Sequence, residues 1–282
     1  MAGYQTDKRT VRYHDKRIQF SGAGWIEPQG SITLFEDFLG DVLADSPLVS
    51  VIQSGTALTA GVITVTGGGT VSAGAGGWVG GKTDDVDNEI DELIFGGLST
   101  ATAGAIFRPE RAGNGVMVME MGFVIPVALT ARQYFCGWTD DPTEGTATNG
   151  PLNIQTAYTL VDVADDAAGF IFSSLATAPT IWKYANTLAG AGSTVSAETE
   201  ATTGVVDAYT VCRVEIDSAG NAYFFQSNSG STAIGRQAPV GVGASALAVT
   251  PTVALIPVFT AAATTTTGVE WEVDYCFAAE AR

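Results

Sequence analysis

Val211-Cys212-Arg213-Val214-Glu215-Ile216-Asp217, followed by Ser218-Ala219-Gly220-Asn221 and then Ala222-Tyr223-Phe224-Phe225-Gln226, is the stretch whose reading decides the fold. In its first part Cys212, Val214 and Ile216 alternate with Arg213, Glu215 and Asp217. Successive side chains of an extended chain point to opposite faces, so this period of two marks a half-buried strand. The middle four residues are turn formers, and the aromatic segment after them returns as the partner of a β-hairpin. The final strand repeats the alternation, with Trp271, Val273, Tyr275 and Phe277 predicted on the core face and Glu270, Glu272 and Asp274 outward. Further strands are predicted within 61–66, 115–125, 134–138, 169–173, 180–184 and 251–259. Turn-forming clusters such as Asp140-Asp141-Pro142 and Asn149-Gly150-Pro151 separate some of them. Only 31–43 and 87–94 have room for a turn or two of helix, and no βα alternation is present. The chain therefore reads as an all-β sandwich or barrel.

Composition narrows the function. The chain has 282 residues, 46% of them hydrophobic and only 15% charged, and a formal charge of −17. So acidic a body argues against nucleic acid as a direct partner. Charge is also unevenly placed. Lys8, Arg9, Arg12, Lys16 and Arg17 face only Asp7 and Asp15, so the first twenty residues carry +3 and the remainder −20. A short basic end on an acidic body is the pattern of an arm that docks on another surface. The segment 21–29, with Gly22, Gly24 and Pro28, reads as its hinge. We therefore divide the chain into an extended N-terminal arm and hinge, 1–30, and one sandwich domain, 31–282. Two long uncharged segments, 46–81 and 237–269, are too broken by glycine, proline and threonine to read as membrane spans. The first twenty residues lack the apolar core of a secretory signal. The three cysteines, Cys136, Cys212 and Cys276, are widely spaced and suggest neither a disulfide framework nor a zinc site, in keeping with assembly in a reducing cytosol.

Catalytic and ligand motifs are few. Gly76-Gly77-Trp78-Val79-Gly80-Gly81-Lys82-Thr83 matches a phosphate-binding loop in letters but runs into Asp84, Asp85, Asp87, Glu89, Asp91 and Glu92. Those carboxylates would stand where the nucleotide charge must lie, so the segment reads as a glycine-rich connection ending a strand. The acidic run has the wrong spacing for an EF-hand, with Ile90 at position six and Gly96 at position twelve, and reads as a solvated edge or loop. The single histidine, His14, lies in the arm, away from any expected nucleophile. Carboxylate pairs for glycoside cleavage need a separation of about 5–10 Å that sequence does not give. Trp138 and Trp271 read as core, whereas Trp78 and Trp182 are candidates for stacking on sugar rings. No cofactor or metal site is assigned.

From Phe35 onward the chain resembles tailed-phage virion proteins. The residues that carry the resemblance are Phe35-Glu36-Asp37-Phe38-Leu39-Gly40-Asp41, Phe135-Cys136-Gly137-Trp138-Thr139-Asp140, Ala168-Gly169-Phe170-Ile171-Phe172, the hairpin from Arg213 to Phe225, and the segments 251–259 and 269–277. It spans about residues 33–282. The resemblance implies an antiparallel β-sandwich of jelly-roll type, similar to concanavalin A and laminin G domains. It further implies a structural role without enzymatic activity: a capsid decoration or cement protein on the outer surface of the head. Its partners would be the major capsid protein and further copies of itself, a trimer suiting local three-fold positions. The resemblance carries over no site residue, and Lys8, Arg9, Arg12, Lys16 and Arg17 are expected as capsid anchors from charge alone. A fibre or spike module that binds host-surface glycans is the alternative, and a carboxylate-based glycan hydrolase the third reading.

Overall fold

The structure is a computed structural model that describes residues 32–36, 49–53, 63–64, 70–71, 79–83, 90–95, 107–113, 115–125, 130–140, 151–155, 159–162, 164–174, 181–188, 196–203, 209–228, 239–265 and 268–280. Two antiparallel sheets dominate it. The first runs β1 (Ile32–Glu36), β18 (Glu270–Glu280), β7 (Val116–Val124), β14 (Tyr209–Asp217), β15 (Ala222–Asn228) and β16 (Val240–Ser245), while β5 (Val79–Lys82) pairs with the other half of the β18 edge that β1 occupies. The second runs β13 (Ser196–Thr203), β12 (Ile181–Thr187), β11 (Ala167–Ser173), β8 (Arg132–Thr139), β17 (Ile256–Ala263), β6 (Ile90–Phe95) and β2 (Val49–Gln53). Two small hairpins, β3 (Ile63–Thr64) with β4 (Thr70–Val71) and β9 (Leu152–Gln155) with β10 (Thr159–Asp162), lie outside these sheets. No helix among the described residues is long and apolar enough to cross a membrane.

The inner faces interdigitate through aromatic rings. Trp271 of the first sheet meets Phe259 of the second at 5.9 Å, Phe259 meets Phe123 of the first at 5.2 Å, and Phe123 meets Trp182 of the second at 5.5 Å. Each ring thus packs on rings of the opposite sheet, and complete burial of such a side chain stabilises by roughly 1.5–3 kcal/mol. Polar atoms cross the same gap. Trp271 Nε1 donates to Asp91 Oδ2 at 3.0 Å, and the Tyr134 hydroxyl donates to the Glu270 carbonyl at 2.8 Å. Cys136, Cys212 and Cys276 are free thiols in this core. The outer face of the second sheet is also apolar and buried, with Ile94, Phe135, Ile171, Ile256 and Val258 on it. The β9 strand lies against β8, β11 and β12 there.

The deciding hairpin forms as read, with Ile216 opposite Ala222 and Cys212 opposite Gln226. Asp217 organises its turn. Its Oδ1 accepts the amides of Ala219 and Asn221, and its Oδ2 accepts the Asn221 side-chain amide and the Tyr223 hydroxyl. Burial alone would raise this carboxyl, but the bonds from Asn221, Ala219 and Tyr223 outweigh it and hold the group below its ordinary range.

Three expectations need correction. The segments given to helical turns contain β1 and β6; Ile90–Phe95 is buried throughout and pairs with both β17 and β2, so tertiary pairing overrides local preference. In β18 a register shift between Val273 and Tyr275 inverts the facing of the residues C-terminal to it. Cys276 and Ala278 therefore enter the core, while Tyr275 and Phe277 turn to the outer face. Within 251–259 the strand begins only at Ile256.

Gly220 has φ +82°, and a Cβ there would lie 2.2 Å from the Val249 carbonyl oxygen. Gly220→Ala is expected to destabilise the protein by about 2–3 kcal/mol through strain and displacement of that backbone. The shift of the urea unfolding midpoint measures it.

Candidate functional site

The outer face of the first sheet carries charge without exposing it. Strand period places Glu120 of β7, Arg213 and Glu215 of β14, Phe225 of β15 and, after the bulge, Tyr275 of β18 on this face. Register sets Arg213 between Glu120 and Phe225. Its Nη1 lies 3.7 Å from Glu120 Oε2 and its Nε 3.4 Å from Glu215 Oε1, and the guanidinium stands 4.8 Å from the Phe225 ring centroid. The Tyr275 hydroxyl donates to Glu120 Oε1 at 2.6 Å. All four polar residues are buried. One guanidinium bridging two buried carboxylates over an aromatic ring is a rigid network, and it leaves no room for a sugar ring between those carboxylates.

The open surface lies elsewhere. Among the described residues the exposed large hydrophobic side chains are Tyr223 (38%), Val240 (64%) and Leu247 (50%), and all belong to the β15–β16 end of the first sheet or the turn after it. β16 reads Val240-Gly241-Val242-Gly243-Ala244-Ser245, is the last strand of its sheet, and carries no charge. Natural edge strands are commonly blunted by charged residues, and this one is not. The polar groups of the adjoining turn are already engaged within it: Asp217 accepts four bonds, and Asn221 Oδ1 accepts the Leu247 amide at 2.9 Å. An uncharged edge flanked by grouped apolar side chains suits contact with another protein surface.

Many of the site residues expected from sequence are not placed. The arm with Lys8, Arg9, Arg12, Lys16 and Arg17, together with His14, Trp78, Asp84, Asp85, Asp87 and Glu89, lies outside the described residues. The end of the phosphate-loop match is strand β5 rather than a connection. Its backbone pairs with β18, and a Cβ at Gly81 would stand 2.5 Å from the Trp271 ring, so this glycine makes room for an indole. Asp91 and Glu92 are buried in β6, not solvated, and Asp91 is the acceptor for Trp271. Among the described residues no three acidic, histidine or cysteine side chains form a metal-holding group. Trp138 and Trp271 are core as expected. Trp182 is also core, packed on Phe123 and Phe172, and is therefore not placed to stack on a sugar.

The pair Asp140 and Asp166 has no signature in the sequence, since the two lie on different strands' ends. Asp140 Oδ1 accepts the Asp166 amide at 3.0 Å, and Asp166 Oδ1 accepts the Thr250 amide. Burial, helped by the charges of Asp166 and Asp165, pushes the Asp140 carboxyl up to about 6 against the lowering effect of that amide.

No protein-family model matches the chain, and no curated protein is similar to it in sequence. Solved structures share its architecture. A protein of unknown function from Shewanella oneidensis MR-1 matches with a TM-score of 0.52 and 12% identity over 98% of this chain and 94% of its own. Peanut lectin matches with a TM-score of 0.50 and 10% identity over 88% of this chain and 97% of its own. The carbohydrate recognition domain of Emp47p gives 0.50 and 10% over 91% and 99%. The shared fold is a lectin-type jelly roll. At these identities the likeness is one of fold, and a fold of this kind serves many functions.

Arg213→Met leaves Glu120 and Glu215 buried without their shared cation and is expected to cost about 3–5 kcal/mol in denaturant unfolding. Asp140 is raised from 3.8 to about 6, so its contribution to stability is complete below pH 3.8 and is lost as pH rises through about 6. Asp140→Asn keeps the acceptor oxygen and should flatten the thermal stability profile across that window.

Proposed function

We propose that this chain is a structural protein of a tailed-phage particle, a head decoration protein that binds the outer capsid surface and stabilises the shell. The observation that carries this reading is the charge-free β16 edge with Tyr223, Val240 and Leu247 beside it, on a chain of net charge −17. Copies so acidic repel one another, and they approach at least cost through an uncharged edge. The ordered sequence resemblance to virion proteins supports the same reading. In this reading the protein acts by binding rather than catalysis. The major capsid protein and further copies of the chain are its partners, and the basic arm with Lys8, Arg9, Arg12, Lys16 and Arg17 reaches the shell.

A glycan-binding fibre or spike module is the second reading, favoured by the exposed Tyr223 ring beside Asp217 and Asn221 on a fold shared with lectins. Against it stands the internal use of the Asp217 and Asn221 acceptors, since a sugar hydroxyl would have to displace bonds that already shape the turn.

Cosedimentation with capsids lacking the protein separates the two. The full chain should bind saturably, at a copy number set by the shell subunits. A chain beginning at Gly24 should lose that binding, and Val240→Asp with Leu247→Asp should weaken it. A full chain that leaves the capsids bare, yet is retained on host polysaccharide, would overturn the proposal in favour of the glycan reading.

A further inference from the structure

Arg132, the first residue of β8, is a guanidinium only 4% exposed. Its Nε donates to the Thr130 carbonyl at 3.3 Å, and the group lies beside the Tyr134 hydroxyl. Its Nη1 is fully buried and has no hydrogen-bond partner. Among the described residues no carboxylate forms an ion pair with it. A buried charge without a counter-charge is costly by several kcal/mol, and natural structures rarely tolerate one. In a chain with 30 acidic residues against 13 basic ones, a buried arginine without a carboxylate is the more unusual.

The surroundings add donors. On one side β11 ends next to Ser174, whose Oγ accepts the Arg132 amide at 2.9 Å. On the other side β17 ends next to Thr264, whose amide donates to the Ala131 carbonyl at 3.0 Å. The two hydroxyls are 3.4 Å apart, and either can donate to the other. Whichever donates, the pair keeps one further hydroxyl proton to give. Ala131 has φ +61°, the left-handed region that a residue with a Cβ enters only at a cost. Thr130 and Thr265 at the rim are exposed, so the corner borders solvent.

We propose that this corner, where β8 begins and β11 and β17 end, binds a small oxyanion: a phosphate, sulfate or carboxylate group. The guanidinium supplies charge and a fork of donors suited to two oxygens of one group, and the Ser174–Thr264 pair supplies a neutral donor. The site is independent of the capsid reading and of the β16 edge.

The test is thermal unfolding and calorimetric titration of the full chain with inorganic phosphate, sulfate and acetate in parallel, at constant ionic strength made up with chloride. At about ten times its dissociation constant, the preferred anion should raise the unfolding midpoint by about 3 °C. The three arms tell which oxyanion the corner prefers. Arg132→Gln should abolish both the rise and the heat of binding while keeping the all-β circular dichroism spectrum. If that variant fails to fold, Ser174→Ala serves in its place, with binding weakened about tenfold for the lost hydroxyl donor. Overturning results are a midpoint indifferent to all three anions in the unaltered chain, or an equal response in chains with and without Arg132 or Ser174.

Discussion

The indole of Trp271 is the contact on which the sandwich turns. Its ring needs a neighbour without a side chain, and Gly81 on β5 provides the gap; its N–H needs a buried acceptor, and Asp91 on β6 provides the carboxylate. Those two partners lie in different sheets, so one side chain fixes the spacing between the sheets and the position of an edge strand. The ring series through Phe259, Phe123 and Trp182 then extends that spacing across the core. The same bond accounts for the burial of Asp91, because an unpaired polar group in such a place costs far more than a paired one.

Both outer faces are used for stability as well. On the second sheet the outer face is apolar and β9 lies against it, while on the first it holds the Glu120–Arg213–Glu215 network with Tyr275. A jelly roll built for sugar recognition is expected to leave a concave site open to its ligand. Here Glu120 and Glu215 are both paired with Arg213, and among the described residues the exposed large apolar side chains are gathered at one edge.

Much of the fold is legible in the sequence because large side chains alternate along the central strands, and the hairpin around Gly220 has both a pattern and a turn. β16 is not, because glycine at alternate positions gives no amphipathic signal, and neither is β13, because Ser196–Thr203 is largely polar and small along its length. Strand period tells that Arg213 and Glu215 share a face, but not that both are buried. The bulge in β18 escapes for a related reason: one unpaired residue changes every later facing, and Tyr275 and Phe277 are as apolar as residues that belong inside. Trp182 and Arg132 show the limit from opposite sides. Burial of each is decided by distant strands, and local sequence around neither states it.

The cysteines give the molecule a silent state and a loud one. Cys136, Cys212 and Cys276 are all of the chain's thiols, and all are reduced and enclosed between the sheets. A native molecule offers a thiol-alkylating reagent no accessible thiol, whereas a molecule whose sheets have parted offers three at once. The mass of an alkylated chain therefore records, molecule by molecule, whether its sandwich had opened, where spectroscopy reports only an average.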